Sequence, residues 1–382
     1  MNRFRNLDYL IFFLVVGLCC FGILMVFSAS YYTYQFKTDS TGVSLVIKHA
    51  INVIAGLGIM TVVMMFFDYH WLAKLRIFHG RVGLLPFLAV LLSLGLLVVV
   101  FFIGQNLNGA DRWIRIFGIS VQPSEIARIS MVLFVADQLS YFYDEICQRR
   151  NFRLCMDYAW PTFLVAGLLC VLILAGNALS MTAITGITFL ILLWVANFNT
   201  RLVGFISVGV FAMGAAVIRF SEFRWNRMMI FRDPWQDPQG AGYQLIQSLY
   251  ALGNGGLFGV GIGNSRQKYQ YLTYGDSDYI LSIISEEVGF VGVVILILAY
   301  LFLIYRGLLV ARRAPDRLGM LLATGITSIL AIQLIINILV VTSVMPPTGV
   351  PLPFISSGGS SLLIFLASMG LLLNISRFRT QV

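Results

Sequence analysis

Two aspartates two residues apart, Asp276 and Asp278, close a long polar stretch, and Glu286 and Glu287 follow inside an apolar run. A carboxylate held at such a boundary can take the proton from an attacking hydroxyl, the work of a general base. An extended segment would point Asp276 and Asp278 the same way, and a helical turn would separate them. Like charges this close disfavour ionising both, so either could serve as the base on physics alone. Glu286 and Glu287 fall about 12 Å further along a helix begun near Tyr279. As adjacent residues they point apart, so at most one faces a central cavity and the other needs a partner. A second charged set lies in VQPSEIARISMVLFVADQLS, which carries Glu125, Arg128 and Asp137. Glu125 and Arg128 stand three apart and share a helical face. They can form an ion pair that ties this helix to its neighbours, or Arg128 can face a groove and bind a pyrophosphate or other anion. Just upstream, Arg112 and Trp113 are expected at a membrane interface, where Trp commonly serves as an anchor.

The elements around these residues are membrane helices. The chain is 59% hydrophobic and 11% charged, far from the mix of a soluble domain. A spanning helix needs about 20 mainly apolar residues. Candidate spans cover roughly 9–29, 47–67, 83–103, 122–141, 160–175, 178–196, 202–219, 279–304, 319–341 and 358–375. The fold class is therefore an all-α integral membrane protein of about ten spans. Residues 1–382 form one polytopic membrane domain, with a large loop at 221–278 between the seventh and eighth spans. Gly176-Asn177 makes the fifth and sixth spans either a tight hairpin or one broken helix. The first apolar run exceeds a signal-peptide core, so it reads as an uncleaved anchor. Pro123 suits the first helical position, where its missing N–H costs nothing.

The loop holds nine of the chain's 35 glycines, together with Trp, Tyr and Leu. That mixture predicts a packed re-entrant or surface-lying element. Lys and Arg cluster in alternate connections, at 3–5, 74–81, 149–153, 306–317 and 377–379. The short connections opposite hold only Lys37, Lys48, Arg112 and Arg115. The positive-inside rule then places both termini in the cytoplasm and the loop outside. The net charge of +9 is spread through these short clusters, which excludes a nucleic-acid-binding face. Five cysteines and three histidines form no metal spacing or disulfide framework. No phosphate-binding glycine loop precedes a helix in a strand-turn-helix context, which excludes an ATP-driven pump. In the last outer connection, prolines hold an extended path, and a run of serines and glycines opens the tenth span. Helix capping or an anion site would both account for that run.

Four stretches carry a resemblance: GADRWIRIFGISVQPSEIAR, DPWQDPQGAGYQLIQSLYALGNGGLFGVGIGNSRQK, DYILSIISEEVGFVG and PPTGVPLPFISSGGSSLL. In this order and spacing the chain resembles the SEDS proteins (shape, elongation, division and sporulation), the family of RodA, FtsW and SpoVE, as a divergent member. The resemblance implies a ten-span peptidoglycan glycosyltransferase of the bacterial plasma membrane. It would polymerise lipid II, an undecaprenyl-pyrophosphate-linked disaccharide peptide, into glycan strands at the outer face during elongation, division or sporulation. A class B penicillin-binding protein transpeptidase is the implied partner. The family's essential aspartate maps to Asp278 in LTYGDSDY, where the usual Pro-Glu pair is Thr273-Tyr274 and the usual His is Asp276. Arg128 replaces a usual lysine, Ser357 a usual tyrosine, and GNALSMT a usual Pro-Asp-x-Gly-Thr segment.

Transfer requires an acceptor hydroxyl to attack the anomeric carbon while lipid pyrophosphate leaves, with Asp278 as base. Arg112 and Arg128 are expected at the phosphates, and a divalent cation, magnesium or manganese, is the other means of offsetting their charge. No organic cofactor is expected. The matched stretches add Trp113, Glu125, Gln244, Lys268, Ser356 and Ser360 to the expected substrate contacts. Two alternatives use the same cavity without this chemistry: a flippase or transporter of lipid-linked precursors, and a weakly active scaffold for a transpeptidase.

Overall fold

The computed structural model describes residues 7–37, 43–77, 80–107, 110–116, 119–143, 152–240, 242–269, 271–272 and 274–378. Each of the ten expected spans lies on a helix. In chain order these are α1 (Tyr9–Lys37) and α2 (Val43–Phe66), then the single turn α3 (Trp71–Lys74) and α4 (Leu84–Ile103). Next come α5 (Pro123–Tyr141), α6 (Phe152–Ala175), α7 (Leu179–Val195) and α8 (Thr200–Arg219). Two loop helices follow, α9 (Glu222–Arg232) and α10 (Tyr243–Gly255). The chain ends in α11 (Ile280–Arg312), α12 (Arg317–Val341) and α13 (Gly359–Arg377). Among the described residues, 8 helices are long and apolar enough to cross a membrane. α7 is apolar but shorter, with 17 residues. α5 has the length, but Glu125, Arg128 and Asp137 set it apart from the other eight.

Those charges explain where α5 sits. Charged groups in a bilayer turn toward protein, and α5 is buried along nearly its whole length between α4, α12, α6 and α7. α12 and α13 complete the centre, each buried over 72% of its apolar window. α8 lies at the other extreme, with 6% of its window buried, and packs only at the edge against α7 and α9. The turn between α6 and α7 is a hairpin, with Asn177 at φ 59°, a left-handed conformation Asn tolerates. Strand pairing is confined to connections. Arg76–Ile77 (β1) pairs with Val82–Gly83 (β2), and Gln105–Leu107 (β3), Ala110–Ile116 (β4) and Ile119–Val121 (β5) form an antiparallel meander.

The 221–278 loop is a packed element, as its composition predicts. α10 presents Leu245, Ile246, Ser248 and Ala251 inward against α11. The glycine-rich coil after it docks where α11 breaks, at Gly289 with φ 74°. Phe290 and Val291 donate backbone N–H groups to the carbonyls of Gly256 and Leu257, at 2.9 and 3.0 Å. Val260 and Gly261 donate in return to the carbonyls of Glu286 and Glu287, both at 3.0 Å. A Cβ on Gly259 would stand 2.2 Å from the Glu287 carbonyl oxygen, so only glycine permits this approach.

Candidate active site

Asp278 is half-buried in the turn that enters α11. Ser277 and Tyr279 both donate backbone N–H groups to the Tyr274 carbonyl, at 3.2 and 3.1 Å. The segment is therefore turned, and the two aspartates part. Asp276 accepts from the Ser357 hydroxyl at 2.9 Å and its carbonyl accepts from the Ser357 N–H at 3.0 Å. Asp278 lies instead against Gly349, where a Cβ would sit 3.4 Å from its Oδ2. Gly349 has φ 70°, so a side chain there would strain the backbone.

Three buried polar side chains set the height of this turn. Asn337 donates through Nδ2 to the carbonyls of Asp278 and Val350, at 3.0 and 2.9 Å. Ser356 donates to the Ser277 carbonyl at 2.7 Å and accepts from the Leu352 N–H at 2.8 Å. Gln333, one turn below Asn337 on α12, donates to the Pro351 carbonyl at 2.8 Å. The proline-rich connection 345–357 is thereby pinned carbonyl by carbonyl. This is how an irregular backbone survives near the membrane, with its polar groups satisfied by protein.

Arg128 connects to this frame from below. It is fully buried, forms an ion pair with Glu125, and donates through Nη1 to Gln333 Oε1 at 2.9 Å. The i,i+3 pair expected from the sequence is present. Arg128 does not open onto a groove; it reaches the proline-rich connection through Gln333 and Pro351. Ser360 accepts from the Gln122 N–H at 3.2 Å. The serine run at the start of α13 thus steadies the entry of α5, and α13 itself has no side-chain cap.

Glu286 and Glu287 are both buried, and both are partnered by the loop, so neither faces a cavity. Glu286 accepts from the Ser265 hydroxyl and from the N–H groups of Arg266 and Gln267, each at 3.2 Å. Glu287 accepts from Ser28 at 2.6 Å and from Lys268 Nζ at 3.3 Å. Their adjacent side chains point apart, as the helix dictates, and each finds its own set of donors. Lys268, 2% exposed, is thus paired inside the protein. Gln244 lies half-buried at the start of α10, and Trp113 half-buried on β4. Arg112 is on β4 too, and its side chain lies outside the described residues. The structure thus brings Asp278, Ser356, Arg128 and Glu125 into one network with Gln333 and Asn337, which the sequence reading had not singled out.

Among the described residues no three metal-ligating side chains come together. A divalent cation at this site would take Asp278 and oxygens of the substrate as its ligands, the usual mode for magnesium beside phosphates.

These features define a multi-pass membrane protein with a carboxylate fixed at one end of a polar, buried scaffold. The family model described as cell cycle protein, covering FtsW, RodA and SpoVE, matches residues 9–381. The chain belongs to that family. It is 37% identical over 98% of its length to a probable peptidoglycan glycosyltransferase FtsW of Geobacter sp. (strain M18), covering 98% of that protein. It is 36% identical to the stage V sporulation protein E of Bacillus subtilis, covering 97% of each chain. Among solved structures it matches, with TM-score 0.76 and 27% identity over 98% of this chain and 99% of the other, a chain from a peptidoglycan synthase complex described as coordinating polymerization and crosslinking.

Proposed function

We propose that the protein is a peptidoglycan glycosyltransferase that polymerises lipid II, with Asp278 as its general base. Full-length kinship to the FtsW proteins supports the activity. The observation that carries the site is the clamp on Asp278: Asn337 holds its backbone carbonyl and Ser356 holds the residue before it. A base must be fixed within hydrogen-bond reach of the hydroxyl it deprotonates. In this mechanism the acceptor sugar hydroxyl gives its proton to Asp278 and attacks the anomeric carbon. The C–O bond to the lipid pyrophosphate breaks, and inversion follows from the single displacement. The departing charge would be offset by Arg112, or by a divalent cation for which Asp278 would be the protein ligand and which would supply Lewis-acid charge stabilisation. Arg128 keeps the outer connection in register instead of meeting the phosphates directly. The loop 221–278 and Asp278 face the exterior, both termini face the cytoplasm, and a transpeptidase of the class B penicillin-binding type is the partner.

Polymerisation by the purified protein, with and without such a partner, is the test. Labelled lipid II should yield glycan strands with the wild type and none with Asp278→Asn. Translocation of lipid II across proteoliposomes without strand formation would establish the flippase reading in its place.

A further inference from the structure

The geometry points to the glycine-rich coil at residues 256–263 as a membrane-seated wedge that rests in the bilayer leaflet on the Asp278 side. Leu257, Phe258, Val260 and Ile262 are all exposed, Phe258 at 80%. In a water-facing loop that would be an unusual concentration of apolar surface.

The position of the coil on α11 identifies what covers it. Every residue from Ile280 to Glu287 is buried in the protein, and exposure begins abruptly at Phe290, just after the break. Residues 290–305, up to the first of the basic residues at 306–317, measure about 24 Å as helix, less than a hydrocarbon core of about 30 Å. The bilayer boundary on the Asp278 side therefore lies no lower on α11 than Gly289, at or above the level where the coil docks, and protein shields the stretch before it. Phe290, Val291, Ile295 and Leu298 form the exposed, lipid-facing side of α11 below that point. The coil is bonded to this same level through Phe290, Val291, Gly256 and Leu257. Its apolar side chains continue the lipid-facing surface without a gap.

The chemistry of the flanks agrees. No charged residue falls between Asp237 and Arg266, so no ionised group in α10 or the coil opposes contact with acyl chains. Trp235 and Tyr250, exposed and packed edge to face with centroids 5.9 Å apart, stand on the approach to the coil. Such amphipathic rings favour the headgroup level. Glycines at 256, 259, 261 and 263 all have positive φ, a backbone path that fixes the coil as a compact turn. The wedge is rigidly joined to the helix that Asp278 enters, so its seating sets the height of the carboxylate above the lipid surface. The inference rests on the membrane reading of α11 and is independent of the transferase reading.

The test places a bimane label on Phe258→Cys, and separately on Ile262→Cys, in a cysteine-free full-length protein reconstituted into phosphatidylcholine vesicles. Gln239→Cys, exposed in the same loop, is the aqueous control. Both coil labels should be quenched several-fold more by phospholipid spin-labelled high on the acyl chain than the control is, and several-fold less by aqueous iodide. Iodide quenching equal to the control would overturn the proposal. So would protection from both quenchers, the pattern of a second protein chain covering the coil. Two label positions guard against one substitution disturbing the fold, and near-wild-type thermal unfolding in detergent is required of each.

Discussion

Asn337 Nδ2 lies 3.0 Å from the carbonyl oxygen of Asp278 and donates to it, while the same nitrogen holds Val350 at 2.9 Å. One buried amide on α12 thus joins the turn bearing the carboxylate to the connection that lies against it. Asn337→Leu keeps the number and branching of the side-chain heavy atoms and leaves two carbonyls without their donor. Unsatisfied buried groups cost about 1–3 kcal/mol each. Strand synthesis should fall about tenfold or more with lipid II affinity little changed, because position rather than contact is lost. Wild-type turnover in N337L would remove Asn337 from the positioning role.

Asp276 and Asp278 make opposite commitments. Asp276→Asn keeps an oxygen to accept from Ser357 and should retain substantial polymerisation. Asp278→Asn should abolish it while expression and unfolding temperature stay near wild type. Equal loss in both variants would mean that the turn, not the base, had been damaged.

Much of this was legible in the chain. The three-residue spacing marked the Glu125–Arg128 pair, whereas Asp276 and Asp278 stood equal on physics and only the resemblance to the SEDS proteins favoured Asp278. Gln333 and Asn337 carried a signal that went unread, because two amides one turn apart in an apolar span demand buried partners. The docking of Gly259 on Gly289 left no such trace. It joins the loop to the helix across a long sequence separation, and hydrophobic periodicity reports only neighbours on one element. Likewise, adjacency of Glu286 and Glu287 showed that they diverge but not that the loop would return to supply donors to both.

Glu125 and Arg128 should prove mutually dependent. Removing one member of a truly buried pair typically costs about 3–5 kcal/mol. Glu125→Gln and Arg128→Gln should each lower folded yield and activity, with the double variant losing less than the sum. Simple additivity in a double-mutant cycle would show that the two residues do not depend on each other.

Orientation can be read with two single-cysteine probes. Gln239 on the loop and Arg313 after α11 are both exposed. An impermeant maleimide applied to whole cells should label Gln239→Cys and spare Arg313→Cys until the membrane is opened. The reverse pattern would put the Asp278 side in the cytoplasm and end the case for an exterior substrate.

Lys268 separates a substrate contact from a structural one. It is buried beside Glu287, with Ser28 and the Gly263 carbonyl also within reach of its ammonium group. Lys268→Met strands the Glu287 carboxylate among hydroxyl and N–H donors alone, in a region where an uncompensated charge is expensive. The variant should therefore unfold at lower temperature, and the coil at 256–263 should become sensitive to protease. Adding Glu287→Gln removes the stranded charge and keeps an acceptor for Ser28, so K268M/E287Q should recover much of the lost stability. A direct role at the phosphates makes the opposite forecast. K268M would then fold normally, lipid II would bind more weakly, and the glutamine change would restore nothing.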